Sequence, residues 1–184
     1  QVDNAGVPLH AVAAALVARD VDLAIGILAP AQRDVAGELL FRERYVAVTA
    51  RDWRPAGKVA RTLTPRQLAA ASLAVASPTA TYHESVQRML DELGLTGRTV
   101  VNARHYAALP ELVTTTDLLA IVPQLYARAM ARHWPVKVWQ LPGEPLEYDV
   151  RMLWHVTATE EPAHAWLRAL VVRLFARAAP RSPS

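Results

Sequence analysis

The chain has no cysteine, so disulfides and thiolate metal sites are excluded, and redox chemistry says nothing of its compartment. Lysine is nearly absent as well. Lys58 and Lys137 are the only two among 184 residues, so the formal charge of +3 rests on arginine. No run of like charges forms a nucleic-acid footprint. Arg42, Arg44, Arg51, Arg54, Arg61 and Arg66 are spread among apolar residues and read as a solvated face, not a phosphate-binding stripe. Apolar runs of membrane-spanning length are missing, because Arg or Asp interrupts each one. The opening Gln1-Val2-Asp3-Asn4-Ala5-Gly6 has neither the basic nor the apolar region of an export signal. A soluble, cytoplasmic domain is therefore expected, although a processed exported protein would look the same. The seven glycines form no nucleotide-binding fingerprint, and no serine stands in a G-x-S-x-G elbow.

What is present is an ordinary globular mixture, 52% hydrophobic and 20% charged. Within it one pattern occurs twice. Val21-Asp22-Leu23-Ala24-Ile25-Gly26 and Thr116-Asp117-Leu118-Leu119-Ala120-Ile121-Val122-Pro123 each follow a helical pattern, open with Asp, run through apolar strand residues and stop at Gly or Pro. A helix feeding a short apolar strand is the unit of a sheet covered on both faces. Two copies predict two similar lobes and a cleft.

Through most of its length the chain alternates helices and strands, which predicts an α/β class. Leu9, Val12, Ala13, Leu16 and Val17 keep helical spacing after Pro8. Leu39 to Phe41 and Tyr45 to Val48 read as two strands around the charged Arg42-Glu43-Arg44. Arg51 to Lys58 reads as the crossing out of the first lobe. Thr64-Pro65 starts a short helix, with Thr as cap and Pro at the first helical position. Ser72 to Ala76 is a buried strand and Ser77 to Thr81 a polar turn. Val86, Met89, Leu90 and Leu93 mark a helix that Gly94 terminates. Then come a strand at Thr99 to Val101, helices over 105–115 and 124–131, and strands over 136–139 and 148–154. Pro162 opens the last helix, whose apolar stripe is Trp166, Leu167, Leu170, Val171, Leu174 and Phe175; the end from 177 reads as a polar tail.

Catalytic and metal chemistry is little in evidence. Glu161-Pro162-Ala163-His164 is a lone Glu-x-x-His with no second copy, and reads as the polar first turn of the last helix. His10, His83, His105, His133 and His155 have no ligand spacing. No metal or cofactor is expected, nor an enzyme activity. Two strand-to-helix turns carry the useful polar groups: Ser77-Pro78-Thr79-Ala80-Thr81 and Ala103-Arg104-His105-Tyr106. Turns at the carboxyl ends of strands are where open α/β sheets take ligands, and helix starts favour anions. Thr79 or Thr81 equally suits a helix cap, and His105 a satisfied helix-start histidine.

Five stretches together resemble the effector-binding domain of LysR-type transcriptional regulators. They are Leu40 to Val46 after Asp22 to Gly26, His105-Tyr106-Ala107-Ala108-Leu109-Pro110, Thr116 to Pro123, Val150-Arg151-Met152-Leu153-Trp154-His155, and Glu161 to Arg168. The last is most similar to the subgroup sensing aromatic carboxylates, the salicylate- and nitrotoluene-pathway regulators. The resemblance implies a type 2 periplasmic-binding-protein fold, with lobe I over 1–52 and 147–184 and lobe II over 53–146. It implies that the opening strand and helix of lobe I, and the N-terminal helix-turn-helix that binds DNA, are missing, and that the chain self-associates as a dimer or higher oligomer. It places His105, with Arg104 and Tyr106, at an effector pocket, Ser77 to Thr79 at the lobe II turn facing the cleft, and Leu28 to Pro30 at the lobe I loop opposite. The partner implied is a small effector, aromatic or carboxylate, with no membrane involved. An exported solute-binding protein of the same fold is the alternative.

Overall fold

The computed structural model describes residues 6–29, 32–76, 87–95, 97–145 and 147–178. The chain divides into two compact units, Gln1–Glu43 with Tyr148–Ser184, and Arg44–Glu147.

In the first unit, helix α1 (Leu9–Ala18) ends at Arg19, which takes the left-handed conformation (φ 64°) and returns its N–H to the carbonyls of Ala15 and Leu16. Strand β1 (Leu23–Gly26) pairs antiparallel with β7 (Glu147–His155), Leu23 opposite Trp154 and Gly26 opposite Arg151. On the other side of β7 lies β2 (Val35–Ala50). Gly37 permits that approach: a Cβ there would collide with the Leu153 side chain and sit 3.4 Å from the Met152 carbonyl oxygen. Successive β7 side chains point to opposite faces. Leu153 joins Val12, Leu16 and Val35, while Met152 and Trp154 join Ala158 and Val171 of the 3₁₀ turn Val156–Ala158 and of helix α6 (Pro162–Ala178).

Two expectations change in this unit. Helix α6 is rotated from its most apolar stripe. Trp166 and Leu174 are 62% and 58% exposed, and His164 is buried with Val171. The rotation brings His164 and Arg168 inward, where the carbonyls of Asp22, Ala158 and Thr159 take their donors. Polar satisfaction there outweighs the burial of two large apolar side chains. The charged triplet also fails to break β2, which runs unbroken for 16 residues. Arg42 and Arg44 share one face of the strand and find separate partners along it: Arg42 lies 3.5 Å from the Asp149 carboxylate, and Arg44 donates to Gln124.

The second unit holds the strand order β6-β2-β5-β3-β4. β2 pairs antiparallel with β6 (Val136–Trp139) and β5 (Leu119–Pro123); β5, β3 (Leu73–Ala76) and β4 (Thr99–Ala103) are parallel. Helices α4 (Leu109–Thr115) and α5 (Gln124–His133) pack on one face, their Leu109, Val113, Ala127 and Met130 against Val46, Val48, Ala74, Ala76, Ala120 and Val122. On the alternate strand positions Ala47, Leu73, Val75, Leu119 and Ile121 are likewise buried, beside Trp139, whose indole N–H donates to Thr49 Oγ1 at 2.9 Å. Helix α2 (Pro65–Ala70) starts with a full capping box between Thr64 and Gln67, as the Thr-Pro start predicts. Residues 87–92 are helical (α3) and are followed by Gly94 at φ +66°, with the Leu95 N–H reaching back to the Leu90 carbonyl at 2.7 Å.

The two Asp-led strands do form, at β1 and β5, but with unequal burial. β5 is buried throughout between β2 and β3. β1 is half-buried, exposes Ile25, and pairs only with β7 among the described residues.

Candidate functional site

The parallel strands of the second unit end in register, Ala76 opposite Ala103 on one side of β3 and Val75 opposite Ile121 on the other. The segments leaving these strands therefore gather at one edge. After β4 come Arg104, His105 and Tyr106, and after β5 comes α5. Tyr45 of β2 pairs with Pro123, which places Arg44 one step past the last rung, beside the first residue of α5.

The turn after β4 is built by Pro110 and Leu109. A 3₁₀ turn, Tyr106–Ala108, runs into α4, where Pro110 occupies the first helical turn and loses no hydrogen bond. His105 stands before this turn in an extended conformation, φ −138° and ψ 144°, and its side chain makes no capping bond. Arg104 and His105 are exposed; Tyr106 is half-buried and packs on the α4/α5 core. The Tyr106 ring lies 4.9 Å from that of Tyr126 in α5, tilted by 39°, and the Tyr126 hydroxyl donates to the Tyr106 carbonyl at 2.7 Å. Burial raises the Tyr126 phenol above its usual value of 10.0, so at neutral pH it keeps the proton it donates.

At the start of α5 the N-cap residue is Pro123, whose side chain makes no cap bond, and the first turn carries no acid. The partial positive charge of that end is thus not offset by a carboxylate of the helix itself. Gln124, 7% exposed, accepts from Arg44 Nε at 3.0 Å. This pair was not expected from the sequence. Its signal lies in strand periodicity: Arg44 shares a face with Val46 and Val48, so a continuous β2 carries it toward α5. Five of the six dispersed arginines are exposed as expected, and Arg44 is the partly buried exception.

Of the other expected site residues, Ser77, Thr79 and Pro30 lie outside the described residues, as does the whole turn over 77–81. Leu28 belongs to the first unit, half-buried against the cluster of Val12, Leu16, Val35 and Leu153.

A second polar cluster, in the first unit, has a different character. Arg168 Nη1 lies 2.7 Å from His164 Nδ1 and 3.0 Å from the Ala158 carbonyl, and Nη2 reaches the Thr159 carbonyl. A guanidinium only donates, so Nδ1 is the acceptor and Nε2 carries the ring proton, which it gives to the Asp22 carbonyl at 2.9 Å. The guanidinium lies 4.7 Å over the Trp154 ring. Glu161, the other half of the Glu-x-x-His, turns instead to Arg19 at 3.0 Å. No group of three or more His, Cys, Asp or Glu that could hold a metal occurs among the described residues. No helix among them is long and apolar enough to cross a membrane.

Known proteins share this architecture. Residues 7–176 match the family model of the LysR substrate binding domain. The HTH-type transcriptional activator NagR of Ralstonia sp is 29% identical over 158 residues, which is 86% of this chain and 52% of NagR, so the chain spans about half of that relative. A transcriptional regulator structure from Vibrio parahaemolyticus superposes with a TM-score of 0.75 at 22% identity, covering 94% of this chain and 80% of that one. The effector-binding domain of QuiR in complex with shikimate superposes at 0.68 with 18% identity, covering 93% and 79%. At those identities the likeness shows the fold, the type 2 periplasmic-binding-protein-like arrangement of LysR regulatory domains.

Proposed function

The chain belongs to the LysR substrate-binding domain family, and we propose that it is the effector-sensing part of a transcriptional regulator, taking a small ring-bearing carboxylate at the carboxyl end of the second unit's parallel strands. The observation that carries this reading is the turn 104–106. An exposed Arg and an exposed, uncapped His stand there beside an aromatic wall, all anchored by a buried core. Arg104 supplies positive charge for a carboxylate, His105 a directional hydrogen bond, and Tyr106 with Tyr126 apolar surface. The start of α5, with no acid in its first turn, adds to the positive potential of the same edge. Ser77, Thr79, Leu28 and Pro30 enter the proposal on the resemblance alone.

Support for the ligand class comes from the aromatic-acid subgroup that the sequence resembles, and from QuiR, a fold neighbour whose complex is with shikimate, a ring carboxylate. In this reading the domain does no catalysis. It acts in the cytoplasm as part of an oligomer, and DNA contact belongs to a helix-turn-helix outside this chain. An effector that favours one arrangement of the regulator by about 1–3 kcal/mol is enough to shift its output.

Thermal unfolding against ligand panels tests this. Benzoate, salicylate and shikimate should raise the Tm of the chain with increasing concentration, by an amount equivalent to about 2.7 kcal/mol at one hundred times Kd. Stabilisation by sugars or amino acids instead, with none by ring acids, would favour the solute-binding alternative.

A further inference from the structure

We propose that Tyr126 is a positioning residue for the effector contact: its hydroxyl pins the 104–106 turn to α5 and so fixes the direction in which Arg104 and His105 project. The inference rests on the proposed function and adds a residue to that site.

The geometry is specific. α5 follows β5 and the turn follows β4, and these strands flank β3 on its two sides. Among the described residues no backbone ladder joins the turn to α5, and Tyr126 ties the two together with a bond of 2.7 Å to a main-chain carbonyl and a ring contact at 4.9 Å. The same Tyr106 carbonyl also accepts the Leu109 N–H that closes the 3₁₀ turn. A carbonyl oxygen has two lone pairs, so both are engaged, one within the turn and one across to α5. The turn otherwise lacks a side-chain cap, since His105 makes none. Removing a hydrogen bond that ties the turn's main chain to α5 loosens the turn locally, while the strand before it and the helix after it stay packed. A bond to the backbone, as opposed to a side chain, sets the direction of two neighbouring side chains at once. A ligand that needs Arg104 and His105 together gains from that pre-organisation.

Tyr126→Phe keeps the ring and removes only the hydroxyl. Amide exchange and calorimetry on the 184-residue chain, with salicylate as the probe, separate the possibilities. Exchange of amides 104–108 in the free chain should rise severalfold in Tyr126→Phe, with the β3 and β5 amides unchanged. Salicylate affinity should fall roughly fivefold, the size of one neutral hydrogen bond. Combined with His105→Ala, the second change should add little, because a turn without its histidine has little left to aim. Unchanged exchange, unchanged affinity or fully additive losses would overturn the positioning role. If His105→Ala itself leaves affinity unchanged, the proposed site fails instead. If the parent binds neither salicylate nor benzoate nor shikimate, the ligand class fails and the positioning role falls with it.

Discussion

Two histidines near the starts of helical segments, each with an arginine close by in sequence, have opposite employment in this molecule. His164 is buried in the first unit, and both ring nitrogens are engaged, Nε2 to the Asp22 carbonyl and Nδ1 to Arg168. His105 is exposed in the second unit, beside an exposed Arg104, and does not cap the turn that comes after it. In the first case the arginine donates to the histidine and to two carbonyls, so the pair completes backbone groups that burial would leave orphaned. In the second, nothing in the local fold requires either side chain. A polar pair whose bonds serve the fold is structural, whereas one that the scaffold holds out without using is available to a ligand.

The contrast can be broken most forcefully at Arg168. Arg168→Ala deprives two carbonyls and His164 of their donor and should lower the unfolding free energy by about 3 kcal/mol in denaturant titration. A loss under about 1 kcal/mol would mean that the cluster is ornamental. His164→Ala leaves the Asp22 carbonyl without its ring donor and opens a small cavity, for about 2 kcal/mol. Salicylate affinity, once corrected for the folded fraction, should be unchanged in both. His105→Ala should do the reverse, moving stability by no more than about 0.5 kcal/mol while weakening salicylate binding about tenfold. The smallest effect is a pH limb. Burial raises the folded-state pKa of Tyr126 above 10.0, so the unfolded chain loses that proton first and stability falls as pH rises past about 10. Stability curves for Tyr126→Phe should lack that contribution, and an identical alkaline limb in both proteins would place its origin elsewhere.

Much of the architecture was legible because local rules and tertiary demands agreed. Thr64-Pro65 capped its helix as the residue types require, Gly94 took its left-handed conformation, and the fully apolar β5 went to the interior. Errors arose where a side chain's partner lay far away in sequence. Trp166 and Leu174 looked like core until His164 and Arg168 claimed the inner face of α6 for carbonyls at residues 22, 158 and 159. The Arg42-Glu43-Arg44 triplet looked like a strand break, yet β2 continues because each arginine finds a partner distant in the chain, Asp149 or Gln124. Periodicity reports which face a residue lies on and is silent about what waits there. The same limit hid part of the candidate site. The sequence drew attention to Arg104, His105 and Tyr106, but the hydroxyl that holds their turn comes from Tyr126, 20 residues further on.

The most direct test of this division of labour is salicylate calorimetry on the parent and on His105→Ala, each at a temperature where unfolding curves show it fully folded. The variant should be as stable as the parent and bind about tenfold more weakly. Equal affinity in the two proteins would refute the division, leaving His105 as an exposed turn residue with no part in recognition.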